Sequence, residues 1–178
     1  MSLSGASEPD QGAGSDPRRP IEPETPEALS RGPEIRELTR EECEALLRRN
    51  TVGRIAFAFQ RRVDILPVHY VYEDGWLYGR TSPGIKTDMW RHSRWVAFEV
   101  DEVRALFDWS SVIVHGGLYP LRPEGVEADN WQQAVELLKR LVPGTGTAYD
   151  PVPQRTIVFR IHVDGMYGRM ALPPVDER

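Results

Sequence analysis

The chain has 178 residues and a net charge of −5, from 22 Lys and Arg against 27 Asp and Glu. Residues 1–37 hold eight of the acids and four arginines, so the body is nearly neutral, which argues against broad electrostatic binding to nucleic acid. A single cysteine excludes a disulfide framework, and no apolar run approaches a membrane span or a signal-peptide core. We therefore expect a cytoplasmic protein with no nucleic-acid or membrane partner.

Three regions follow from the composition. Residues 1–34 are acidic, rich in Pro and Gly, and contain no aromatic residue, so they predict a disordered leader that cannot bury enough apolar surface to fold. Residues 35–172 form the predicted folded domain, and residues 173–178 a short tail.

The first predicted element is a helix that ends near Asn50. Thr39 and Glu42 have the spacing of a capping box, in which each side chain bonds the other residue's backbone N–H. Leu38 and Cys43 occupy the positions of a hydrophobic staple, and we expect Cys43 to pack in the core.

Alternating residues predict three strands after this helix. The first begins at Val52 and the second covers residues 63–72. Asp74-Gly75 is a strong hairpin signal, and it leads into a third strand at residues 76–81. Pro67 lies inside the second strand and therefore requires an edge or bulge position.

The remaining sequence predicts a mainly β protein. A short helix at residues 84–92 precedes strands at residues 95–103 and 109–121. A further helix ends at Pro143-Gly144, and the last strand covers residues 156–163, with residues 166–170 as an extension of it. About six strands with short hairpins and few helices predict a small six-stranded antiparallel β-barrel.

The segment from Arg80 to Lys86 is the most informative for function. Thr81, Ser82 and a glycine follow the end of a strand, and the next helix carries a lysine in its first turn. Unpaired backbone N–H groups at a helix start, with hydroxyl groups and basic side chains, suit a phosphate. The alternative interpretation is that Ser82 caps the helix and the basic residues are solvated.

The strand that contains Pro67 is the second candidate. Its broken ladder would leave backbone groups free to meet a planar ligand beside Arg54 and His69, whereas the alternative is an ordinary edge strand with a satisfied histidine. The four histidines are dispersed and lack the spacing of a zinc helix, so we predict no metal site.

Several runs, in order along the chain, resemble the pyridoxamine 5′-phosphate oxidase-like family over about residues 36–170. These runs are Val52-Gly53-Arg54-Ile55-Ala56-Phe57, Pro67-Val68-His69-Tyr70-Val71-Tyr72, Leu77-Tyr78-Gly79-Arg80-Thr81 with Gly84 and Lys86, Ala97-Phe98-Glu99-Val100-Asp101, Trp109-Ser110-Ser111-Val112, and Val158 to Arg169. Residues 154–178 contain no tryptophan, and the arginine–histidine signature of the true oxidases is absent. The chain is therefore more similar to the uncharacterised and nitroimidazole-resistance-like branch.

The resemblance implies a Greek-key, FMN-binding split β-barrel that forms a homodimer with the cofactor at the subunit interface. Residues 54–57 would line the flavin, Pro67, Val68 and His69 would flank its ring, and Glu99, Trp109 and Ser110 would come from the partner or close the pocket. The phosphate would be held by Arg80, Thr81 and Lys86, beside Ser82. The full set of expected cofactor-binding residues is Arg54, Ile55, Ala56, Phe57, Pro67, Val68, His69, Arg80, Thr81, Ser82, Lys86, Glu99, Trp109 and Ser110.

The expected function is that of a flavin-dependent oxidoreductase acting on a small molecule. It would pass reducing equivalents from a nicotinamide or similar donor to a small organic acceptor, with His69 and Tyr70 as proton donors. Arg54, Arg80 and Lys86 are the charges that would favour reduced, anionic flavin. The alternatives are a non-catalytic module that binds or senses flavin, deazaflavin or haem, and a structural dimer with an empty cleft.

Overall fold

Eight strands and two α-helices form the described part of the chain, which comprises residues 33–59, 61–84, 90 and 92–173 of a computed structural model. In chain order they are β1 (Glu34–Glu37), α1 (Arg40–Arg49), β2 (Val52–Phe59), β3 (Arg62–Glu73), β4 (Trp76–Thr81), β5 (Trp95–Ala105), β6 (Asp108–Leu121), α2 (Ala128–Lys139), β7 (Ile157–His162) and β8 (Gly165–Leu172). A 3₁₀ turn at Gly125–Glu127 leads into α2. None of the described helices is long and apolar enough to cross a membrane.

All strand pairings are antiparallel, and their order is β1-β8-β6-β5-β2-β3-β4-β7. An additional pairing of β6 with β7 closes six of the strands into a ring, with β8 and β1 continuing from β6 outside it. The predicted six-stranded antiparallel split barrel is therefore confirmed.

The long strand β6 makes the ring possible because it changes partners along one edge. Its residues Trp109 to His115 pair with β8, and its last four residues, Leu118 to Leu121, pair with β7. The other edge pairs with β5 over almost its full length. Gly116 and Gly117 lie at the change of partner, where the turn between β7 and β8 crosses β6.

Two hydrophobic clusters hold the described elements together. The interior of the ring contains aromatic and branched residues from all six strands, and α1 adds Cys43, Leu46 and Leu47 to them. The second cluster lies outside the ring, where α2 packs against Tyr78, Leu121 and Val158. Because β4 has the ring interior on one face and α2 on the other, its last five residues are all buried.

The start of α1 has the capping box that the sequence predicts. The backbone N–H of Glu42 donates to the Thr39 hydroxyl at 3.2 Å, and the backbone N–H of Thr39 donates to the Glu42 carboxylate at 2.8 Å. Arg36 of β1 donates two further hydrogen bonds, at 2.6 and 2.9 Å, to the same carboxylate. These bonds, chiefly those from Arg36, lower the pKa of Glu42 to about 2.

We expect Glu42→Gln to remove part of the acid sensitivity of folding. The folded-state pKa lies below the ordinary value of 4.5, so the ionised carboxylate stabilises the protein fully above pH 4.5, and this contribution disappears as the pH falls towards 2. Urea unfolding followed by circular dichroism between pH 7 and pH 2.5 should therefore show the parent converging on the variant at low pH. Glu41→Gln is the control, since Glu41 makes no ion pair with the described residues. Parallel pH profiles for parent and Glu42→Gln would contradict the assignment.

The predicted hairpin is present, whereas other sequence predictions differ in detail from the structure. Asp74 and Gly75 have φ values of 47° and 79°, as a two-residue type I′ hairpin requires, and β3 and β4 lie where they were predicted. Strand β1 was not predicted, and residues 166–170 belong to a separate strand, β8, rather than to an extension of β7. The predicted helix at residues 84–92 falls mostly outside the described residues.

Candidate functional site

The ring opens between β3 and β4. Strand β3 pairs with β4 only from Tyr70 to Glu73, whereas residues 62–69 of β3 pair with β2 alone. Strand β4 pairs with β7 along its whole length, and its residues Arg80 and Thr81, beyond this point, pair with β7 alone. The two strands therefore diverge beyond the Tyr70–Gly79 pair, and a cleft lies between them.

Pro67 lies on the open edge of β3, as its chemistry requires. The backbone N–H of Tyr70 donates to Thr51 next to β2, so alternate residues of β3 direct their N–H groups towards β2. Pro67, three positions before Tyr70, directs its nitrogen the other way, where no strand pairs with it. The predicted edge position is confirmed, and the backbone at this level is free to meet a ligand.

A pocket of about 460 Å³ occupies the cleft, which is within the usual range for small-molecule sites. We call it the split pocket. Its walls come from the edge of β3, the end of β4 with the residues that follow it, and the residues before β7. The lining residues are Pro67, Val68, Arg80, Thr81, Ser82, Pro83, Gly84, Gln154 and Arg155.

Arg80 lines this pocket, but its charge is compensated. It follows Tyr78 on the face of β4 that α2 covers, and the chain leaving α2 brings Asp150 against it. The two Nη atoms of Arg80 both bond the Asp150 carboxylate, one of them at 2.9 Å, and both side chains are more than nine-tenths buried. The hydrogen bonds from Arg80, followed by one from the backbone of Val152, hold the pKa of Asp150 well below its usual range.

The hydroxyl groups of Thr81 and Ser82 remain available to a ligand. Thr81 is buried and Ser82 is half-buried, both line the split pocket, and neither hydroxyl bonds another described residue. The two predicted hydroxyl ligands therefore lie together. Lys86, the other predicted phosphate ligand, lies outside the described residues.

Sequence reasoning missed Arg155, a half-buried cation that lines the split pocket. It makes no salt bridge with any carboxylate in the described part of the chain. The pairing of β4 with β7 explains its position, because Thr81 lies opposite Ile157 and the residues just before β7 therefore reach the chain just after β4. Only this long-range register could have identified Arg155, since nothing in its local sequence marks it.

The charge of Arg54 is also compensated, because two carboxylates bond its side chain. Its Nη1 atom donates to Glu99 at 3.0 Å and also to Asp101, and these bonds, led by the one to Asp101, raise the pKa of Arg54. Arg54 and Glu99 lie opposite each other on β2 and β5, so here Glu99 contacts the arginine of its own chain. Arg54 also lies opposite Pro67, which places this ion cluster beside the split pocket.

Tyr70 is not accessible from the pocket. Its side chain is 1% exposed, packs edge-on against Phe98 with ring centroids 4.9 Å apart, and donates a hydrogen bond of 2.8 Å to the carbonyl of Leu47. Burial raises the pKa of Tyr70. The Tyr70 hydroxyl therefore bonds within the core of the single chain, and its role as a proton donor stays a prediction.

The other expected site residues are distributed over two faces of the sheet. Ile55 and Phe57 direct their side chains into the core. His69 is exposed on the outer face opposite Val52, outside the lining of the split pocket. Trp109 and Ser110 lie at the start of β6, opposite Val103 and Glu102, and do not line the split pocket either.

Large apolar side chains are exposed on the outer face of β2, β3 and β5. Ile65 is 63% exposed and lies opposite Ala56, which in turn lies opposite Ala97. A shallow groove of about 280 Å³ runs across these strands. We call this surface the outer apolar face, and its members are Ala56, Ala58, Val63, Ile65, Trp95 and Ala97. Contiguous apolar surface of this kind is typical of an interaction site.

Six antiparallel strands form a ring, and two of them, β3 and β4, diverge over the split pocket. This arrangement defines the protein as a split β-barrel. The family model described as pyridoxamine 5′-phosphate oxidase matches residues 39–170, and the chain belongs to this pyridoxamine 5′-phosphate oxidase-like family.

Three relatives illustrate the similarity. An uncharacterised protein of Rhizobium meliloti is 27% identical over an alignment of 147 positions, and the match covers 77% of this chain and 95% of the relative. The crystal structure of an FAD-binding protein from Mesorhizobium loti is 29% identical, with a TM-score of 0.64, and the match covers 79% of this chain and 99% of the other. A putative 5-nitroimidazole antibiotic resistance protein from Bacteroides thetaiotaomicron is 17% identical, with a TM-score of 0.62 and coverage of 83% and 94%. Because its identity to this chain is so low, the last relative supports the fold alone.

The split pocket has the donors that the phosphate end of a flavin nucleotide would require. Its lining includes Thr81 and Ser82 with their hydroxyl groups, Arg155, and Arg80, which has N–H groups that Asp150 does not use. Pro67 and Val68 form an apolar wall at the open edge of β3, where a planar ring could lie. The described residues therefore fit a ligand with one anionic and one flat apolar end.

Proposed function

We propose that the protein binds FMN in the split pocket and acts as a flavin-dependent oxidoreductase on a small organic acceptor, with a reduced nicotinamide or similar donor. The single observation that carries the proposal is the opening between β3 and β4, which brings the Thr81 and Ser82 hydroxyl groups and Arg155 to one end of an apolar wall. The Mesorhizobium loti relative, described as FAD-binding, supports a flavin nucleotide as the ligand.

The described residues would bind and orient this ligand rather than react with it. The hydroxyl groups and the Arg155 guanidinium would hold the phosphate, while Pro67 and Val68 would exclude water from one face of the ring. A bound flavin supplies the redox chemistry itself. The ion cluster of Arg54, Glu99 and Asp101 would set the charge near the ring, and it carries two carboxylates for one guanidinium.

We also propose that a second copy of the chain covers the outer apolar face and that the cofactor lies at the resulting subunit interface. The split pocket and this face share strand β3, since Pro67 and Ile65 are two positions apart on the same side of it. A partner docked on the face would therefore close the open side of the site. Contiguous exposed hydrophobic surface is a liability in a monomer and is stabilising when it is buried in a dimer.

A non-catalytic flavin-binding module is the second candidate, and one observation favours it. The described lining of the split pocket contains no histidine, carboxylate, thiol or phenol that could transfer a proton near neutral pH. Deazaflavin and haem are the alternative cofactors for such a module, because a deazaflavin presents the same phosphate and haem presents two carboxylates.

A visible absorption spectrum tests the proposed function. We expect the full-length protein, purified or loaded with FMN, to show the bands of an oxidised flavin and to lose them when reduced nicotinamide is added without oxygen. Bound flavin that no donor reduces would assign the protein to the second candidate function. A protein that stays colourless and takes up neither FMN nor FAD would contradict both flavin functions, and a Soret band would identify haem instead.

A further inference from the structure

The connection between α2 and β7, residues 140–156, is tied to the split pocket by one side chain. The Asp150 carboxylate accepts hydrogen bonds from the backbone N–H groups of Gly146 at 3.1 Å and Val152 at 3.0 Å, in addition to the two from Arg80. Four donors match the acceptor capacity of an ionised carboxylate. Asp150 therefore fixes the connection internally and also joins it to the end of β4.

This anchoring determines where Arg155 lies. The Arg155 backbone N–H donates to the carbonyl of Val152 at 3.0 Å, and Val152 is itself held by Asp150. A short stretch tethered at Asp150 and Val152 thus holds the backbone of Arg155, a residue that lines the split pocket. Strand β7 begins two residues later and pairs with β4, so the position of Arg155 is constrained from both ends.

The two arginines that line the pocket, Arg80 and Arg155, therefore differ in how strongly their charge can attract an anion. Arg80 retains N–H donors, but its charge is balanced by a buried carboxylate within hydrogen-bond distance. Arg155 lines the same pocket and has no carboxylate partner among the described residues. Of these two cations, Arg155 is the one whose full charge a phosphate ester would meet, and a charge-assisted hydrogen bond of this type is about twice as strong as a neutral one.

We propose that Arg155 recognises the phosphate group of the bound nucleotide and that Asp150 is a positioning residue that holds Arg80 and the α2–β7 connection in the binding geometry. The inference rests on the proposed function, since it assigns the phosphate specificity of the same pocket. In this proposal, the α2–β7 connection and β4 together determine the preference for phosphorylated over unphosphorylated flavin.

The test compares the dissociation constants of FMN and riboflavin, measured by quenching of flavin fluorescence with the full-length protein. Arg155→Gln should weaken FMN binding by about 10- to 100-fold, the range for a hydrogen bond to a charged group, and leave riboflavin binding unchanged. Arg155→Lys should restore part of the loss. Arg122→Gln is the matched control, since Arg122 is exposed, does not line the pocket and should bind as the parent does.

Asp150→Asn should also lower the preference for FMN over riboflavin, because Arg80 and Arg155 lose their anchor. A merely structural defect would instead weaken the binding of both ligands equally. The Arg155 variants still test the inference if Asp150→Asn does not fold. An unchanged preference in Arg155→Gln, or a parent that binds both ligands equally, would overturn the inference and leave flavin binding intact. A parent that binds neither ligand would overturn the proposed function as well.

Discussion

Replacing Gly116 by alanine is expected to destabilise the folded protein by about 3 kcal/mol or more, at the upper end of the range for overpacked cores. A Cβ atom at this position would lie 1.7 Å from the carbonyl oxygen of His162 and 2.9 Å from its carbon. Both contacts are with backbone, so no side-chain rotation relieves them. The close approach is needed because Gly116 lies where β6 exchanges β8 for β7, and the backbone N–H of Asp164 bonds His115 at 3.0 Å beside it.

Chemical denaturation followed by tryptophan fluorescence and circular dichroism measures this effect. Gly165→Ala is the matched control, because a Cβ there meets no atom within 4 Å and the backbone conformation accepts a side chain. We expect this control to unfold at the parent's midpoint or slightly above it, since alanine restricts the unfolded chain. Equal midpoints for Gly116→Ala and Gly165→Ala would contradict the closure of the ring through β6 and β7.

The second large effect is expected from Ile65→Lys on the outer apolar face. In the proposed dimer this substitution buries an unpaired ammonium group in both subunits, because a two-fold interface repeats every change. The dimer dissociation constant should rise at least about 30-fold, equivalent to the 2 kcal/mol of an interface hot spot. Since the cofactor is proposed to lie at the interface, FMN affinity should fall with it.

Size-exclusion chromatography with light scattering, over a range of protein concentrations, reports the oligomeric state. Val126→Lys is the control because Val126 is 96% exposed and lies outside the outer apolar face, before α2. Both side chains are exposed in the single chain, so neither change should alter its folding stability by more than about 0.5 kcal/mol. A parent that is monomeric throughout, or an Ile65→Lys variant that remains dimeric, would contradict the proposed interface.

Local signals in the sequence predicted the elements that depend on local chemistry. The capping box of Thr39 and Glu42, the positive φ values of Asp74 and Gly75, and the edge position of Pro67 each follow from what one to four neighbouring residues can do. The resemblance of the ordered runs to a known family then supplied the split barrel, which no single pattern specifies.

Features that depend on long-range pairing escaped the sequence reasoning. Strand β1 has four residues with none fully buried, and it exists because β8 offers an edge to it. The charges of Arg54 and Arg80 looked available in the sequence, but their carboxylate partners lie 45 to 70 residues away. Tyr70 looked reactive because a strand pattern does not reveal that its hydroxyl bonds Leu47 inside the core.

The basic residues of the sequence also single out the segment that follows β4. Only two of the 22 basic residues are lysines, and one of them, Lys86, follows the hydroxyl groups that line the split pocket. Arg155, which precedes β7 in the sequence, lines the same pocket. Phosphate recognition in this account therefore combines a segment that the sequence identifies with a connection that only the fold brings to it.

A crystal structure of the full-length protein grown with FMN tests the central claim most directly. We expect the phosphate in the split pocket, with its oxygens about 3 Å from the Thr81 hydroxyl and the Arg155 guanidinium, and the ring along the open edge of β3 at Pro67 and Val68. A flavin bound elsewhere, or bound with its phosphate outside the split pocket, would contradict the account.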